Sequence, residues 1–127
     1  MFSVLIIEDE EGILKILQEI LSKFGYHAEI AEDGLQGIHK FETKNFDLVI
    51  TDMRMPGIDG RGVVQYIRNS RNKNIPLIGI SGTPWLLCDV GFDAILPKPF
   101  SARELVECVE QQLKIPSNSE SELAEQL

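Results

Sequence analysis

The chain has 127 residues, 43% hydrophobic and 25% charged, with a formal net charge of -8. That length suits one domain around a single core, and the acidic balance argues against the basic face that direct nucleic-acid binding needs. No apolar run is long enough to span a bilayer, no signal-peptide pattern follows Met1, and Cys88 and Cys108 form neither a CxxC nor a ligand-spaced set. The expectation is a soluble protein of a reducing cytoplasm with no membrane partner.

Residues 3–7 (SVLII) read as a short, fully buried strand. Residues 11–25 place Ile13, Leu14, Ile16, Leu17, Ile20, Leu21 and Phe24 at helical spacing and close on Gly25. A short strand follows at 27–31 (HAEIA), then a helix at 34–44 with Leu35, Ile38 and Phe41 turned inward. Residues 46–50 (FDLVI) predict another buried strand, and 60–69 a helix burying Val63, Val64 and Ile67. The stretch 75–80 (IPLIGI) predicts a fourth strand. Residues 83–90 (TPWLLCDV) make only a weak helical piece, because Pro84 is tolerable only in a first turn. A short strand at 93–96 (DAIL) leads to a helix at 101–114, where Ser101 and Glu104 form a capping box. From Pro116 the apolar density falls, and 116–127 read as a tail or the start of a linker.

Five strands alternating with helices predict an α/β domain, a doubly wound parallel sheet covered on both faces. In such a sheet ligands bind beyond the carboxyl ends of the strands. Those ends carry Glu8-Asp9-Glu10, Asp52, Ser81-Gly82-Thr83 and Lys98 between Pro97 and Pro99. Singly, each has an ordinary role. Asp52 suits a turn, the acids at 8–10 suit the first turn of a helix, and Lys98 suits a solvated loop. Together they leave unexplained why the unusual polar residues all fall on carboxyl ends.

Three carboxylates at one edge repel one another unless some take protons or a cation joins them. An all-oxygen set with few ligands favours a hard ion that keeps its waters, which is Mg²⁺. Metal, ammonium and hydroxyl groups in one cleft suit phosphoryl transfer, which spreads charge over three oxygens. Aspartate is a competent nucleophile for making an acyl phosphate.

The stretches VLIIEDE, AEDGLQGI, FDLVITDMRMPGIDG, IPLIGISG and LPKPF, in that order, resemble a response-regulator receiver domain of two-component signalling. The resemblance covers Phe2 to about Lys114, and the receiver is expected over 1–115. It implies a flavodoxin-like strand order 2-1-3-4-5. It gives Asp52 the role of phosphorylated residue and Glu8 and Asp9 that of metal ligands for Mg²⁺ (or Mn²⁺), with the backbone carbonyl of Arg54 completing the metal site. Ser81 matches the hydroxyl that meets the phosphoryl group, Lys98 the lysine that pairs with it, and Gly82 a small residue whose N–H approaches it. The resemblance also implies that the side chains of Arg54 and Thr83 tune hydrolysis and that the Lys98-Pro99 bond is cis. The implied donor is a phosphohistidine on a sensor histidine kinase or histidine phosphotransfer protein, and the implied output is an unidentified partner or attached domain. Such a domain is no enzyme in the ordinary sense; it catalyses only its own phosphorylation and dephosphorylation.

Two departures stand out. The switch position on the fifth strand, usually aromatic and coupled to Ser81, is Ile95. Only nine residues separate Ser81 from Gly91, room for one to two turns where the family fits a whole fourth helix. The common dimer face of fourth helix, fifth strand and fifth helix is therefore expected to be remodelled and that dimer disfavoured. Trp85 belongs either to this reshaped face or to the core beneath it. Two other function classes stay open: a phosphorylation-independent docking module, and an aspartyl-nucleophile phosphatase. The second usually carries a general-acid Asp two residues after the nucleophile, where this chain has Arg54.

Overall fold

A computed structural model describes residues 1–115, and the expected tail at 116–127 lies outside the described residues. Five strands form one parallel sheet: β1 (Ser3–Ile7), β2 (His27–Ala31), β3 (Leu48–Asp52), β4 (Leu77–Ser81) and β5 (Ala94–Pro97). Their order is β2-β1-β3-β4-β5, as expected of a flavodoxin-like sheet. The helices are α1 (Glu11–Lys23), α2 (Gly34–Thr43), α3 (Gly60–Arg68) and α4 (Ala102–Leu113).

Alternation along the strands divides the core in two. Val4 and Ile6 of β1, Leu48 and Ile50 of β3, and Ile78 and Ile80 of β4 face α1 and α4, meeting Leu14, Leu17, Leu105 and Val109. Leu5, Ile7, Val49 and Leu77 point the other way, into Val63, Val64 and Ile67 of α3. The central strands are apolar on both faces because both faces are covered.

One inward assignment fails. Leu35 is 67% exposed, because α2 buries Gly34 and Gly37 instead, Gly37 against β1 and Gly34 against the loop before α3. A Cβ on Gly37 would lie 2.4 Å from the Ile7 side chain, and one on Gly34 would lie 2.3 Å from the Ile58 carbonyl oxygen. The close approach needs the bare glycine face, and Leu35 rotates out with the opposite side. On α1, Ile16 and Phe24 are exposed while Leu14, Leu17 and Leu21 carry the burial.

The β4–β5 connection sits at the short end of the one to two turns expected. It holds a single 3-10 turn, Pro84–Leu86, so α4 here corresponds to the family's fifth helix. Trp85 is exposed and Leu87 takes the inward place. Phe92 fills the space a helix would cover: a Cβ on Gly79 of β4 would lie 2.7–2.9 Å from its ring. Ile95 pairs with Gly79 across the β4–β5 ladder and is half-buried.

Arg68, at the end of α3, ties this connection down. Its guanidinium donates to the carbonyls of Lys73, Ile75 and Gly91 and to Asp93 Oδ2 at 2.6–3.0 Å. Asp93 Oδ2 also accepts the Leu77 N–H at 2.8 Å, and so fixes the start of β4. On the far side, α4 begins with the expected capping box of Ser101 and Glu104.

Candidate functional site

Asp52 and Ser81 are the last ladder residues of their strands, paired with Ile80 and Pro97. Strands β3 and β4 thus run one or two residues beyond the apolar stretches that announce them, and these ends bring both side chains to one cleft. Glu8 follows β1, and its N–H still donates to the Ala31 carbonyl at 3.1 Å. The Lys98 N–H donates to the Ser81 carbonyl at 2.9 Å, which brings Lys98 beside β4. The Lys98-Pro99 bond is cis.

The cleft has a volume of about 380 Å³. Asp9, Asp52, Ser81 and Lys98 line it, together with Arg54, Gly82 and Thr83. Glu10, whose sequence position suits the start of α1, lines it too. Asp52 is buried, its Oδ1 accepting the Met53 N–H at 2.9 Å and lying 3.5 Å from Lys98 Nζ. Nothing in the sequence marks Met53 as a donor, since every non-proline residue has an N–H. The Ser81 hydroxyl accepts the Thr83 N–H at 2.9 Å and lies 3.3 Å from the Thr83 hydroxyl.

Two glycines shape the loop that follows Asp52. Gly57 sits at φ +75°, a conformation that favours glycine. Gly60 lets α3 start against β3, since a Cβ there would lie 2.7 Å from the Asp52 carbonyl oxygen.

Glu8 is 1% exposed, and among the described residues neither of its carboxylate oxygens has a hydrogen-bond partner. Burial, reinforced by the Asp52 carboxylate beside it and less by Asp9, pushes its pKa up to about 8 against the pull of Lys98. One ligand oxygen each from Glu8, Asp9 and Asp52 lie within 4.8 Å of one another. Two orphaned oxygens and a compact all-carboxylate set fit a hard divalent cation. His27 instead faces Glu29 at 3.7 Å on the edge strand β2.

Buried aspartate, lysine, hydroxyl and acidic pair meet at the carboxyl edge of a sheet ordered 2-1-3-4-5. Residues 4–110 match the response regulator receiver domain family. The chain belongs to that family. Curated relatives of this receiver include the probable transcriptional regulator ycf27 of Cyanidium caldarium, 37% identical over 87% of this chain and 46% of the relative. Sensory transduction protein RegX3 of Mycobacterium tuberculosis is 30% identical over 98% of this chain and 56% of the relative. The receiver thus spans about half the length of the curated relatives it matches.

Among solved structures, a chemotaxis protein of Vibrio cholerae superposes with a TM-score of 0.80 at 27% identity, over 87% of this chain and 98% of that one. The receiver domain of a sensor histidine kinase from Pseudomonas aeruginosa gives 0.80 at 25%, over 89% and 98%; a magnesium ion is coordinated in its active-site cleft. No described helix of this receiver is long and apolar enough to cross a membrane.

Proposed function

We propose that residues 1–115 act as the phospho-acceptor of a two-component phosphorelay, taking a phosphoryl group onto Asp52 from a phosphohistidine. The donor is a sensor histidine kinase or a histidine phosphotransfer protein, and the setting is the cytoplasm. One observation carries the reading: Asp52 stands buried at the sheet edge, 3.5 Å from an ammonium and in one cluster with Glu8 and Asp9.

In the proposed step an Asp52 carboxylate oxygen attacks phosphorus in line with the departing imidazole. The P–N bond breaks, the O–P bond forms, and the imidazole leaves with the bonding pair and takes a proton. Lys98 balances charge on the phosphoryl oxygens, and Ser81 and the Gly82 N–H supply hydrogen bonds as charge spreads over them. Glu8, Asp9, Asp52 and the Arg54 carbonyl would hold Mg²⁺ (or Mn²⁺), which supplies further charge neutralisation when bound. Arg54 and Thr83 line the cleft, and their side chains would tune hydrolysis of the acyl phosphate. The lone 3-10 turn before β5 supports a remodelled output face and a disfavoured common dimer.

Incubation with acetyl phosphate and Mg²⁺ tests the reading. Intact-mass measurement should show one phosphoryl adduct that Asp52→Asn abolishes. An adduct that survives Asp52→Asn, or none in the wild type, would overturn it.

A further inference from the structure

Of the residues at the site, Ser81 is the one whose hydroxyl holds the β4–β5 connection. Its Oγ takes the Thr83 N–H, and the Thr83 carbonyl in turn accepts the Leu86 N–H at 3.0 Å, which closes the 3-10 turn. At the far end, Arg68 clamps Gly91 and Asp93, and the Asp93 N–H donates to the Leu77 carbonyl at 2.9 Å. A phosphoryl group on Asp52 that draws Ser81 toward itself releases Thr83. With Gly91 and Asp93 pinned, the rearrangement is confined to residues 83–90.

Thr83, Leu86 and Leu87 of that segment, with residues between Met53 and Arg61, wall a second groove of about 550 Å³. Arg54 and Thr83 line both this groove and the acidic cleft. Met53, Met55, Leu86 and Leu87 give it an apolar interior. Leu86 is 55% exposed and Trp85, beside it, 69%. Arg54 and Arg61 stand on the lining, both exposed, and among the described residues neither side chain makes an ion pair or hydrogen bond. Asp59 supplies the one carboxylate of the lining, and its Oδ1 is engaged by the Gly62 N–H at 3.0 Å, at the start of α3. Two unpaired cations around an apolar groove, in a chain of net charge -8, select a partner of opposite sign.

The geometry points to this groove as the output docking surface, occupied by an acidic segment of a partner protein anchored through apolar side chains. The inference rests on the reading of Asp52 as phospho-acceptor. The phosphorylated state binds more tightly, because the Thr83 N–H and hydroxyl freed from Ser81 become donors for a partner carboxylate at a position shared by cleft and groove.

Selection of a displayed random peptide library on the full chain, kept phosphorylated with acetyl phosphate and Mg²⁺, tests this. Enriched peptides should combine Asp or Glu with large apolar residues. Fluorescence anisotropy should show them binding about ten-fold more weakly to Arg61→Glu, to Leu86→Asp and to the unphosphorylated protein. Both substitutions lie at exposed side chains, and intact mass should show Asp52 still phosphorylated in each. Basic or uncharged peptides, or affinities indifferent to Arg61→Glu or to phosphorylation, would overturn the docking surface while leaving the phospho-acceptor reading intact. Absence of the phosphoryl adduct overturns that reading and the gating together.

Discussion

The acidic edge and the β4–β5 connection meet at Ser81 yet are built on opposite terms. At the edge, Glu8 is buried with both oxygens unpartnered among the described residues, beside two more carboxylates and one ammonium. In the connection, Arg68 and Asp93 bind four backbone groups between them besides each other. Buried polar groups are normally satisfied, and an exception calls for a cause. The satisfied cluster is scaffold: it replaces the packing of a whole helix with one arginine, one aromatic ring and one glycine. The unsatisfied cluster is where something else must bind.

The sharpest way to break the contrast is to fill the scaffold. Gly79→Leu drives a side chain into the Phe92 ring, which already lies within 3 Å of the Cβ position. It should cost about 3 kcal/mol through overpacking, read as a lowered midpoint in chemical denaturation. In a Phe92→Ala background the same substitution should cost far less, because the ring that it strikes is gone. Equal costs in both backgrounds would show that Phe92 does not stand in for the missing helix.

At the edge a substitution should stabilise. The folded domain holds Glu8 near pKa 8 against an unfolded value of 4.5, so between these values the folded state binds the extra proton. Stability of the metal-free protein therefore falls as pH rises from about 4.5 to about 8 and is flat beyond. Asp52 and Asp9 face the group and oppose its ionisation, while Lys98 favours it. Glu8→Gln should raise metal-free stability by about 2 kcal/mol at pH 8 and by little at pH 4. Millimolar Mg²⁺ should stabilise the wild type more than the variant. A wild type equally stable at pH 5 and pH 8 without metal would contradict this.

Much of this was legible in the residues. Runs apolar on both faces at Val4, Val49 and Ile78 mark central strands, and acids directly after such runs mark the site edge. What stayed hidden depends on pairings distant in sequence. Arg68 reads as an ordinary charge at a helix end until Gly91 and Asp93 fold against it. The exposure of Leu35 follows from Gly34 and Gly37 meeting Ile58 and Ile7, contacts that helical periodicity does not record. Trp85 and Leu87 are two residues apart in a segment too short to have a period, so which one is buried is decided by the 3-10 turn. Within the site, the orphaned Glu8 oxygens follow from burial on all sides, which no local motif states.

Removing the staple tests the scaffold more gently. Arg68→Ala leaves three carbonyls and Asp93 to find other donors, mostly water at this half-exposed position, and should cost about 1.5 kcal/mol. Arg68→Lys should recover little, since an ammonium cannot span the same fork of acceptors. Amide hydrogen exchange should quicken from Leu77 to Asp93 and stay unchanged in β1. Quickening spread evenly over the sheet would mean that Arg68 serves general stability and not this connection.

The smallest effect is expected where scaffold and site adjoin. Ser101 lies three residues beyond Lys98 and belongs to the satisfied kind: it caps α4, accepting the Glu104 N–H at 3.1 Å while the Glu104 side chain accepts the Ser101 N–H at 3.1 Å. Ser101→Ala removes half of that box and should cost about 1 kcal/mol. The position of Lys98, however, is set mainly by its N–H bond to the Ser81 carbonyl and by its ion pair with Asp52, neither of which involves the cap. Phosphorylation of Asp52 by acetyl phosphate should therefore proceed at the wild-type rate in Ser101→Ala at a temperature well below its unfolding midpoint. A slowed reaction in a folded variant would place the cap inside the site and dissolve the boundary between the two regions at its narrowest point.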